Sequence, residues 1–496
     1  MKNVVILGQS NYSWLWILLA KKFKEEHGAK IHFISSAPAG VAYWKKRDKN
    51  GTIDSFVTTN HFFTEYDNLN DSYENIYAKA REYEDKYKTL AVDVLQADRH
   101  LGRGFSAAGV GHPRSALSDK ADYIKSINII NKAIIFWEDY FEKIKPDLMI
   151  GVAGGVIGKT CAMVARHRGI PIRAFAPSGY QSYFYWRTDE YHSIPDIEKN
   201  FCSITNVREL VTEDEIWNLK RLPWSDKNYK RIQQYSSMVF TFKQICGQIK
   251  RYLYKKINHI VTMGNYKLSD VIKCAWRMHT EMRYMEKFNA VDIDKLSALS
   301  YVFFPLHLEP ETALGVLSPE FNEQMALIEL LAKNLPAGNF LVVKEHIGAI
   351  GRRPAEFYQT LKDIPNVLIA HPYAYALDIA RKARCVAVIS STLGTEAVIL
   401  GIPVISFGIH TNFKFLPYVY VVESWKELRP LLAKLLGGDT EEAKKQRKED
   451  GMKYLAALKA VSVDLHWSDY SSAKREPATE REVEVLYSSL IKSLGV

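Results

Sequence analysis

The segment Cys385–Gly408 constrains the fold of this chain more than any other part of the sequence. Its buried strand Cys385–Ile389 is followed by a polar turn, Ser390–Thr395, an apolar helix, Glu396–Leu400, and a second buried strand, Pro403–Phe407. This order predicts neighbouring strands of a parallel sheet. A turn that is rich in hydroxyl groups and glycine, and that opens a helix, offers free backbone N–H groups to an anion. The segment therefore predicts an anion-binding turn at the edge of a parallel sheet.

A larger α/β block surrounds this segment and begins near Leu299. Predicted helices separate its predicted strands, which implies a parallel sheet with right-handed crossovers. The predicted strands are Tyr301–Phe304, Phe340–Lys344, Val367–Ala370, Cys385–Ile389, Pro403–Phe407 and Val419–Val421. The predicted helices between them are Asn322–Asn334, Ala355–Ile364, Ala374–Ala383 and Thr395–Leu400.

The beginning of the chain shows the same alternation. Val4–Leu7 and Lys30–Ser35 are predicted strands on either side of a helix, Trp14–Lys24, as at the start of a doubly wound sheet. We therefore predict an α/β fold with two Rossmann-like doubly wound domains, a helical insertion and C-terminal helices. The predicted boundaries are 1–190 for the first Rossmann-like domain, 191–297 for a basic and aromatic helical insertion, 298–435 for the second Rossmann-like domain, and 436–496 for C-terminal helices that pack back on the first domain.

The composition is that of a globular protein with more than one domain. The chain has 496 residues, of which 47% are hydrophobic and 25% charged, so it is too long for a single core. Its five cysteines lack CxxC spacing, which argues against a zinc site or a disulfide framework and favours reduced thiols in the cytoplasm. No apolar run reaches the roughly 20 residues that a membrane-spanning helix needs. We therefore expect a cytoplasmic protein.

Part of the formal net charge of +10 is concentrated in Lys227–Lys256, where basic and aromatic residues occur with little acid. Three interpretations remain open: the solvated face of helices, a surface for an anionic lipid or glycan, and a surface for nucleic acid. No helix-turn-helix, zinc-finger or RNA-recognition signature supports the last. We expect peripheral contact with the inner face of a membrane and no nucleic-acid partner.

Candidate binding residues follow two of the predicted strands. Lys344 and His346 come at the end of Phe340–Lys344, where they are placed to pair with phosphate, although a solvated charged turn explains them equally well. Glu396 lies where a carboxylate can accept hydrogen bonds from a ribose diol. The predicted binding residues are Lys344, His346, Ser390, Ser391, Thr392, Gly394, Thr395 and Glu396.

Candidate catalytic residues come from two further loops. The sequence FFPLHLEPE places His307 and Glu311 on one face of an extended segment, His307 as a proton shuttle and Glu311 as a base or hydroxyl binder. The sequence DRHLGRGF concentrates Asp98 and Arg99 beside two glycines. The structural alternatives are a loop with solvated carboxylates for the first and a capped helix end for the second.

The sequence AGGVIGKT at Ala153–Thr160 differs from the phosphate loop GxxxxGK[ST] in its first residue. An ATPase also needs a carboxylate for Mg²⁺ at the end of a second apolar strand, and the predicted strands do not supply one. We therefore predict a glycine-rich turn that lines the cleft from the first domain, and no nucleoside triphosphatase.

Together these motifs resemble the capsule polysaccharide biosynthesis family of GT-B glycosyltransferases, which includes the β-Kdo transferases. The matching pieces are FPLHLEPE (Phe304–Glu311), VKEH (Val343–His346) and SSTLGTEAVILGIPVISFG (Ser390–Gly408), and DRHLGRGF is similar to an N-domain loop of related surface-glycan enzymes. The resemblance implies transfer of a sugar from a nucleotide-sugar donor, such as CMP-Kdo or a UDP-sugar, to a bacterial capsule or other surface polysaccharide. The partners it implies are the donor and a glycan or lipid-linked glycan acceptor.

In this interpretation the turn and Lys344 stabilise the leaving phosphate, so neither a metal ion nor another cofactor is expected, and the nucleotide sugar is a substrate. Two other reactions fit the same motifs. A UDP-sugar 2-epimerase-like isomerase shares the two-domain fold and a similar Ser/Gly/Glu turn. A polyol-phosphate transferase of the teichoic acid type uses a related donor.

Overall fold

The structure is a computed structural model of the chain. It describes residues 1–8, 13–59, 61–105, 109, 111–115, 117–118, 122–151, 154–217, 219, 229–258, 265–287, 290–354, 356–465 and 480–495, with the backbone alone at 13, 14, 312 and 313.

The described strands belong to two sheets. In chain order they are Asn3–Leu7 (β1), Lys30–Ser35 (β2), Ser55–Thr58 (β3), Leu148–Ile150 (β4), Ile172–Pro177 (β5), Tyr183–Arg187 (β6), Ser300–Pro305 (β7), Asn339–Lys344 (β8), Val367–Ala370 (β9), Cys385–Val388 (β10), Val404–Ser406 (β11), Val419–Val421 (β12) and Val463–Asp464 (β13). The first sheet has the order β13-β6-β5-β4-β1-β2-β3, and the second has the order β12-β11-β10-β7-β8-β9. All pairs in the second sheet are parallel, as are those from β5 to β3 in the first.

Helices cover the faces of both sheets. Those of the first domain are Ser13–His27, Pro38–Arg47, His61–Thr64, Tyr73–Tyr87, Ala91–Gln96, Tyr123–Ile144 and Gly155–His167. Those between the two sheets in the chain are Ile197–Ser203, Glu213–Trp217, Met238–Ile257, Leu268–Glu286 and Ile293–Leu296. Those that follow are Thr312–Leu317, Gln324–Asn334, Phe357–Asp363, Ala376–Lys382, Thr392–Ile399, Leu428–Leu436, Glu441–Ala460 and Glu480–Ser493. Short 3₁₀ turns occur at Arg103–Phe105, Val207–Glu209, Gln234–Ser236, Pro319–Phe321, Ile347–Ala349 and Trp425–Glu427.

The strands of the second sheet are apolar on both faces because helices cover both sides. Along β7, Tyr301 and Phe303 pack into one hydrophobic core, and Val302 and Phe304 pack into the other. All four side chains are fully buried. This is the pattern of a doubly wound parallel sheet, and the prediction of two such α/β domains is confirmed.

The chain returns to the first sheet at its C-terminal end. The helix Glu441–Ala460 packs against Ile197–Ser203 and Thr392–Ile399 on the second domain. Strand β13 then pairs antiparallel with β6, and Glu480–Ser493 packs on Ser13–His27 of the first domain. The segments that link the two domains therefore leave from and arrive at neighbouring strands.

The turn predicted at Ser390–Thr395 is wrong in one respect, because the helix begins earlier. It spans Thr392–Ile399, and the Ser391 hydroxyl caps its start by accepting a hydrogen bond of 3.2 Å from the Leu393 N–H. Thr and Gly are weak helix formers, so the sequence alone indicated a loop where a capped helix forms. The start of the helix is correspondingly nearer to the end of β10.

No described helix combines the length and the apolar character that crossing a bilayer requires.

Candidate functional site

A cavity lies between the two domains, at the carboxyl ends of β5 in one sheet and β10 in the other. Ser178 and Gly179 line it from the first domain, and the second domain contributes hydroxyl-bearing residues: Ser390, Ser391, Thr392 and Thr395. Its volume is about 120 Å³, below the roughly 300 Å³ of small pockets that enclose a whole ligand. This interdomain cavity therefore suits a phosphate-sized part of a larger ligand, with the rest in the open cleft.

The start of the helix Thr392–Ile399 lies at this cavity, where the Leu393 and Gly394 N–H groups donate to the hydroxyl and the carbonyl of Ser391. The Thr392 side chain is exposed, and the Ser390 hydroxyl is buried without a hydrogen-bond partner among the described residues. Gly179 has a φ of +85°, and a Cβ placed there would lie 3.7 Å from the Thr395 side chain. The first domain thus approaches the helix start closely through a residue without a side chain, and hydroxyl-bearing residues and a helix start line the cavity.

Two predicted binding residues of the same segment face elsewhere. The described residues that line the cavity include neither Gly394 nor Glu396. A Cβ on Gly394 would lie 2.8 Å from the ring of Phe413, so this glycine permits close packing of the helix on the core. Burial raises the pKa of Glu396 to about 7, against the opposing effect of Arg381. A partly protonated Glu396 can donate as well as accept hydrogen bonds.

A second group of residues, the Lys344 cluster, lies at the carboxyl ends of β7 and β8. It contains Lys344, Glu345, His346, His307 and Arg353. Lys344 is 4% exposed, and its Nζ donates to the Tyr229 hydroxyl at 3.2 Å and to the Glu345 carbonyl at 3.3 Å. Within the described residues it forms no ion pair, so this buried cation is available to an anionic ligand. Since β7 alone separates β8 from β10, Lys344 lies about 10 Å from the interdomain cavity.

Arg353 holds the Lys344 cluster together through buried hydrogen bonds and an ion pair. Its guanidinium donates two bonds of 2.9 Å to the Glu345 carboxylate and a third to the His307 carbonyl, and it forms an ion pair of 3.3 Å with Glu309. All three charged side chains are at most 2% exposed, and these two carboxylates raise the pKa of Arg353. Breaking such a buried network leaves an uncompensated charge, so Arg353 fixes the backbone that carries His307.

Both histidines of this cluster have a pKa below that of a free imidazole. Burial, with smaller effects from His346 and Arg353, lowers the pKa of His307 to about 3, and its Nε2 has no hydrogen-bond partner among the described residues. Desolvation in the crowded cleft, followed by the Lys344 cation, lowers the pKa of His346 to about 4, although the imidazole remains open to cleft solvent. The Nδ1 atom of His346 accepts a hydrogen bond of 3.1 Å from the Gly348 N–H, and the pairing of His346 with phosphate stays a prediction.

The structure brings Glu311 and Arg99 together across the domain boundary. Burial raises the pKa of Glu311, and the Arg99 cation partly offsets this rise. The Arg99 Nε is buried without a hydrogen-bond partner among the described residues. A half-buried carboxyl group near a guanidinium whose Nε lacks a described partner is suited to holding a polar acceptor.

Asp98 has a structural environment instead. Its carboxylate accepts hydrogen bonds from the backbone N–H groups of His100, Leu101 and Val156, at 2.8, 3.1 and 3.2 Å. It thereby ties the loop after Ala91–Gln96 to the start of the helix Gly155–His167. All of these donors are backbone groups, so the geometry favours the capped-end alternative for Asp98.

The lysine and threonine of the sequence AGGVIGKT do not act as those of a phosphate loop do. Residues 152 and 153 lie outside the described residues, but Lys159 lies inside the helix Gly155–His167 and contacts the Tyr191 hydroxyl at 3.2 Å and Glu190 at 3.6 Å. The Thr160 hydroxyl donates to the Val156 carbonyl at 2.7 Å. Neither side chain is available to a phosphate or to Mg²⁺.

Sequence reasoning missed Arg353, Gly179 and His410. Arg353 lies in the sequence GRRP, whose flanking glycine and proline indicate an ordered turn but not burial. His410 lines the interdomain cavity and stacks on Tyr191 with ring centroids 3.9 Å apart. Its position two residues after the final glycine of the Ser390–Gly408 motif was an available signal. The described residues contain no group of three or more His, Cys, Asp or Glu side chains placed to hold a metal ion.

Comparisons with known proteins give only distant similarity. No protein-family model and no curated protein matches the chain. Among solved structures, the S. aureus MnaA–UDP complex is 13% identical with a TM-score of 0.30, over 93% of this chain and 95% of that one. The UDP-GlcNAc 2-epimerase from Neisseria meningitidis bound to UDP-GlcNAc is 14% identical with a TM-score of 0.29, over 93% and 98%. The glycotransferase of kitacinnamycin is 11% identical with a TM-score of 0.26, over 92% and 97%. Similarities this weak transfer no activity to this chain.

Proposed function

We propose that this chain is a GT-B glycosyltransferase that moves a sugar from a nucleotide-sugar donor to a bacterial capsule or other surface polysaccharide. The observation that carries the proposal is the interdomain cavity, where hydroxyls and the start of Thr392–Ile399 converge at the carboxyl ends of strands from both sheets. An anionic leaving group is stabilised by backbone donors and a helix start. The nearby buried cation Lys344 adds to this field.

In the proposed reaction the bond between the anomeric carbon and the phosphate oxygen breaks, and its electron pair leaves with the phosphate. The acceptor hydroxyl forms the new bond to the anomeric carbon and loses its proton. His307 is the candidate to accept that proton through its buried Nε2, which has no hydrogen-bond partner among the described residues. A phosphate bound nearby raises the low pKa of this imidazole towards neutrality, because an anion favours the charged form. Glu311 and Arg99 hold the acceptor from the other side.

Thermal denaturation with CMP, UDP, GDP and CDP tests the binding half of this proposal. A ligand that binds only the folded state raises the melting temperature, so one nucleotide should raise it clearly above the other three. The variant Thr392→Val, which keeps the side-chain shape and removes an exposed hydroxyl in the cavity, should reduce that rise. The matched control Thr360→Val alters a helix outside the cavity and should retain it. No stabilisation by any nucleotide would contradict the proposal.

Nucleotide release from the donor in the presence of a surface-glycan acceptor tests the reaction itself. Release should require the acceptor and should persist after treatment with EDTA, because Lys344 and the helix start supply the positive charge that a metal ion would otherwise provide.

An epimerase is the second candidate, and the environment of Glu311 favours it. Isomerisation at a sugar carbon needs a proton acceptor and a proton donor, and Glu311, with its raised pKa, and His307, with its lowered pKa, offer such groups in one loop. A coupled assay for epimer formation from a UDP-sugar without any acceptor separates the two. Epimer formation at a rate that an acceptor leaves unchanged would replace the transferase proposal.

A further inference from the structure

The helix Met238–Ile257 shows an unusual distribution of side chains. Six of its apolar residues recur at spacings of three and four, which places them on one face of the helix. They are Val239, Phe242, Cys246, Ile249, Leu253 and Ile257. This apolar stripe faces solvent: Val239 is 80% exposed, Phe242 55%, Leu253 50% and Ile257 74%.

The opposite face of the same helix attaches it to the protein and is mostly polar, while Phe240 packs edge-on against Tyr235. Thr241 is the buried residue of the helix, and its hydroxyl donates to the Tyr235 and Ser237 carbonyls at 3.1 and 3.0 Å. The helix packs on Leu268–Glu286 and on the 3₁₀ turn Gln234–Ser236. An ordinary surface helix buries its apolar stripe and exposes its polar side, so this helix has the reverse orientation.

The charges of the helix are all of one sign. The segment from 238 to 257 contains Lys243, Lys250, Arg251, Lys255 and Lys256 and no acidic residue. Lys243 and Lys250 flank the apolar stripe, where long basic side chains can reach headgroups while the stripe is immersed. Each basic residue near an anionic membrane surface adds to the attraction.

We propose that the helix Met238–Ile257 is a docking surface for an anionic lipid bilayer and that it lies in the membrane interface with its apolar stripe immersed. A second copy of this chain is a poorer occupant, because it brings five more cations to the same face. A nucleic acid leaves the apolar stripe without a partner.

The position of this helix relates the bilayer to the cleft. The helix Leu268–Glu286 beneath it contacts the second domain, where Glu281 accepts a hydrogen bond of 2.5 Å from the Gly351 N–H, two residues before Arg353. At its start, the Lys267 N–H donates to the Arg114 carbonyl of the first domain at 2.7 Å. One helix layer therefore separates the proposed docking surface from the Lys344 side of the cleft. The docking proposal does not rest on the proposed function.

Sedimentation of the full chain with vesicles tests this proposal. Vesicles of phosphatidylcholine alone are compared with vesicles that also contain phosphatidylglycerol, at low and high salt. We expect binding to the anionic vesicles that decreases with salt. The stripe variant V239S/F242S/L253S should lose binding by at least about tenfold, and the charge variant K243Q/K250Q/K256Q should bind anionic and neutral vesicles equally weakly.

A matched control removes three exposed apolar side chains from other surfaces. Leu90, Leu210 and Val485 are 55%, 54% and 41% exposed, and the variant L90S/L210S/V485S should bind vesicles as the wild type does. Melting temperatures of all variants establish that each is folded. Equal vesicle binding by the wild type and the stripe variant would overturn the proposal. So would a wild-type dimer that ignores vesicles and that the stripe variant converts to a monomer, or binding of an oligonucleotide in place of vesicles.

Discussion

Lys344 is a cation held in a place where a cation is unfavourable on its own. It is 4% exposed, and its described partners are a tyrosine hydroxyl and a backbone carbonyl. Burial of an ammonium group without a carboxylate costs free energy, which a bound phosphate recovers. An anionic ligand should therefore stabilise the Lys344 ammonium group by more free energy than it would an exposed lysine.

The variant Lys344→Gln should weaken binding of the stabilising nucleotide by roughly tenfold, because a buried positive charge about 10 Å from the cavity is lost. Calorimetric titration measures the change. The control Lys333→Gln removes a lysine whose side chain is 72% exposed and that pairs with Glu329 on the surface. Its affinity should equal that of the wild type. An unchanged affinity of Lys344→Gln would remove this residue from the site.

Glu396 gives the folded state a pH dependence of its own. Its pKa is about 7 in the folded protein, against 4.5 for the free side chain. The folded state thus holds the proton more tightly, so the stabilising contribution is complete below pH 4.5 and is lost as the pH rises to about 7. The loss amounts to at most about 3 kcal/mol.

Urea denaturation of Glu396→Gln between about pH 5 and pH 8 measures this effect. The variant should show a flatter dependence of unfolding free energy on pH than the wild type. Glu329→Gln, which alters a partly exposed glutamate, should keep the wild-type slope. Parallel slopes for the wild type and Glu396→Gln would show that this carboxyl group does not titrate in that range.

At the scale of the element, the residue at the start of the helix Thr392–Ile399 has two separate effects: it caps the helix, and its charge affects the binding of an anion in the cavity. Ser391 caps the helix, and its removal in Ser391→Ala should cost about 1 kcal/mol of stability. An aspartate is an equally good cap, so Ser391→Asp should keep the stability. Its negative charge lies in the cavity, so this variant should bind nucleotide at least about tenfold more weakly than Ser391→Ala.

Thermal denaturation with and without nucleotide measures both effects. A matched control exists at the helix Glu441–Ala460, where the Thr440 hydroxyl accepts a hydrogen bond of 3.2 Å from the Ala443 N–H. Thr440→Asp preserves a cap outside the cavity and should leave nucleotide binding unchanged. Tight nucleotide binding by Ser391→Asp would mean that the anion lies elsewhere.

The elements that a sequence can predict here are those with continuous apolar runs. The predictions Val367–Ala370 and Val419–Val421 match β9 and β12 residue for residue. Strand β13 could not be predicted, because Val463–Asp464 is two residues long and its partner β6 lies about 280 residues earlier. The helix start at Thr392 was hidden by residues of low helix propensity.

The residues of the candidate site also fall into those that the sequence can predict and those that it cannot. Residues that follow a predicted strand, such as Lys344 and Ser391, can be assigned to the carboxyl edge of the sheet from sequence alone. The burial of Arg353 and the positive φ of Gly179 depend on contacts between distant segments. The packing of Gly394 against Phe413 and the direction of the Asp98 side chain likewise depend on tertiary contacts, which hydrophobic periodicity does not specify.

At the scale of the whole molecule, contact between the domains is close enough to require glycine. A Cβ on Gly315, in the helix Thr312–Leu317, would collide with the backbone carbonyl of Gln96 in the first domain. The variant Gly315→Val should therefore push the domains apart, at a cost of about 1–3 kcal/mol. Nucleotide binding should also weaken, because both domains line the cavity.

Small-angle scattering measures the separation as an increase in the radius of gyration. The control Gly104→Ala places a methyl group where no atom lies within 4 Å and should leave the radius unchanged. If Gly315→Val scatters as the wild type does, the helix has adapted locally and the domain contact is softer than its geometry indicates.

The pairing of β6 with β13 has a mechanical consequence. The polypeptide departs from the first sheet after β6 and re-enters it at β13, and these two strands are hydrogen-bonded neighbours, with the Ser182 hydroxyl also bonded to the Asp464 carboxylate at 2.5 Å. Both tethers therefore share one border of the molecule. A relative rotation of the two halves would therefore pivot about that border and open the cleft furthest at the opposite, untethered rim.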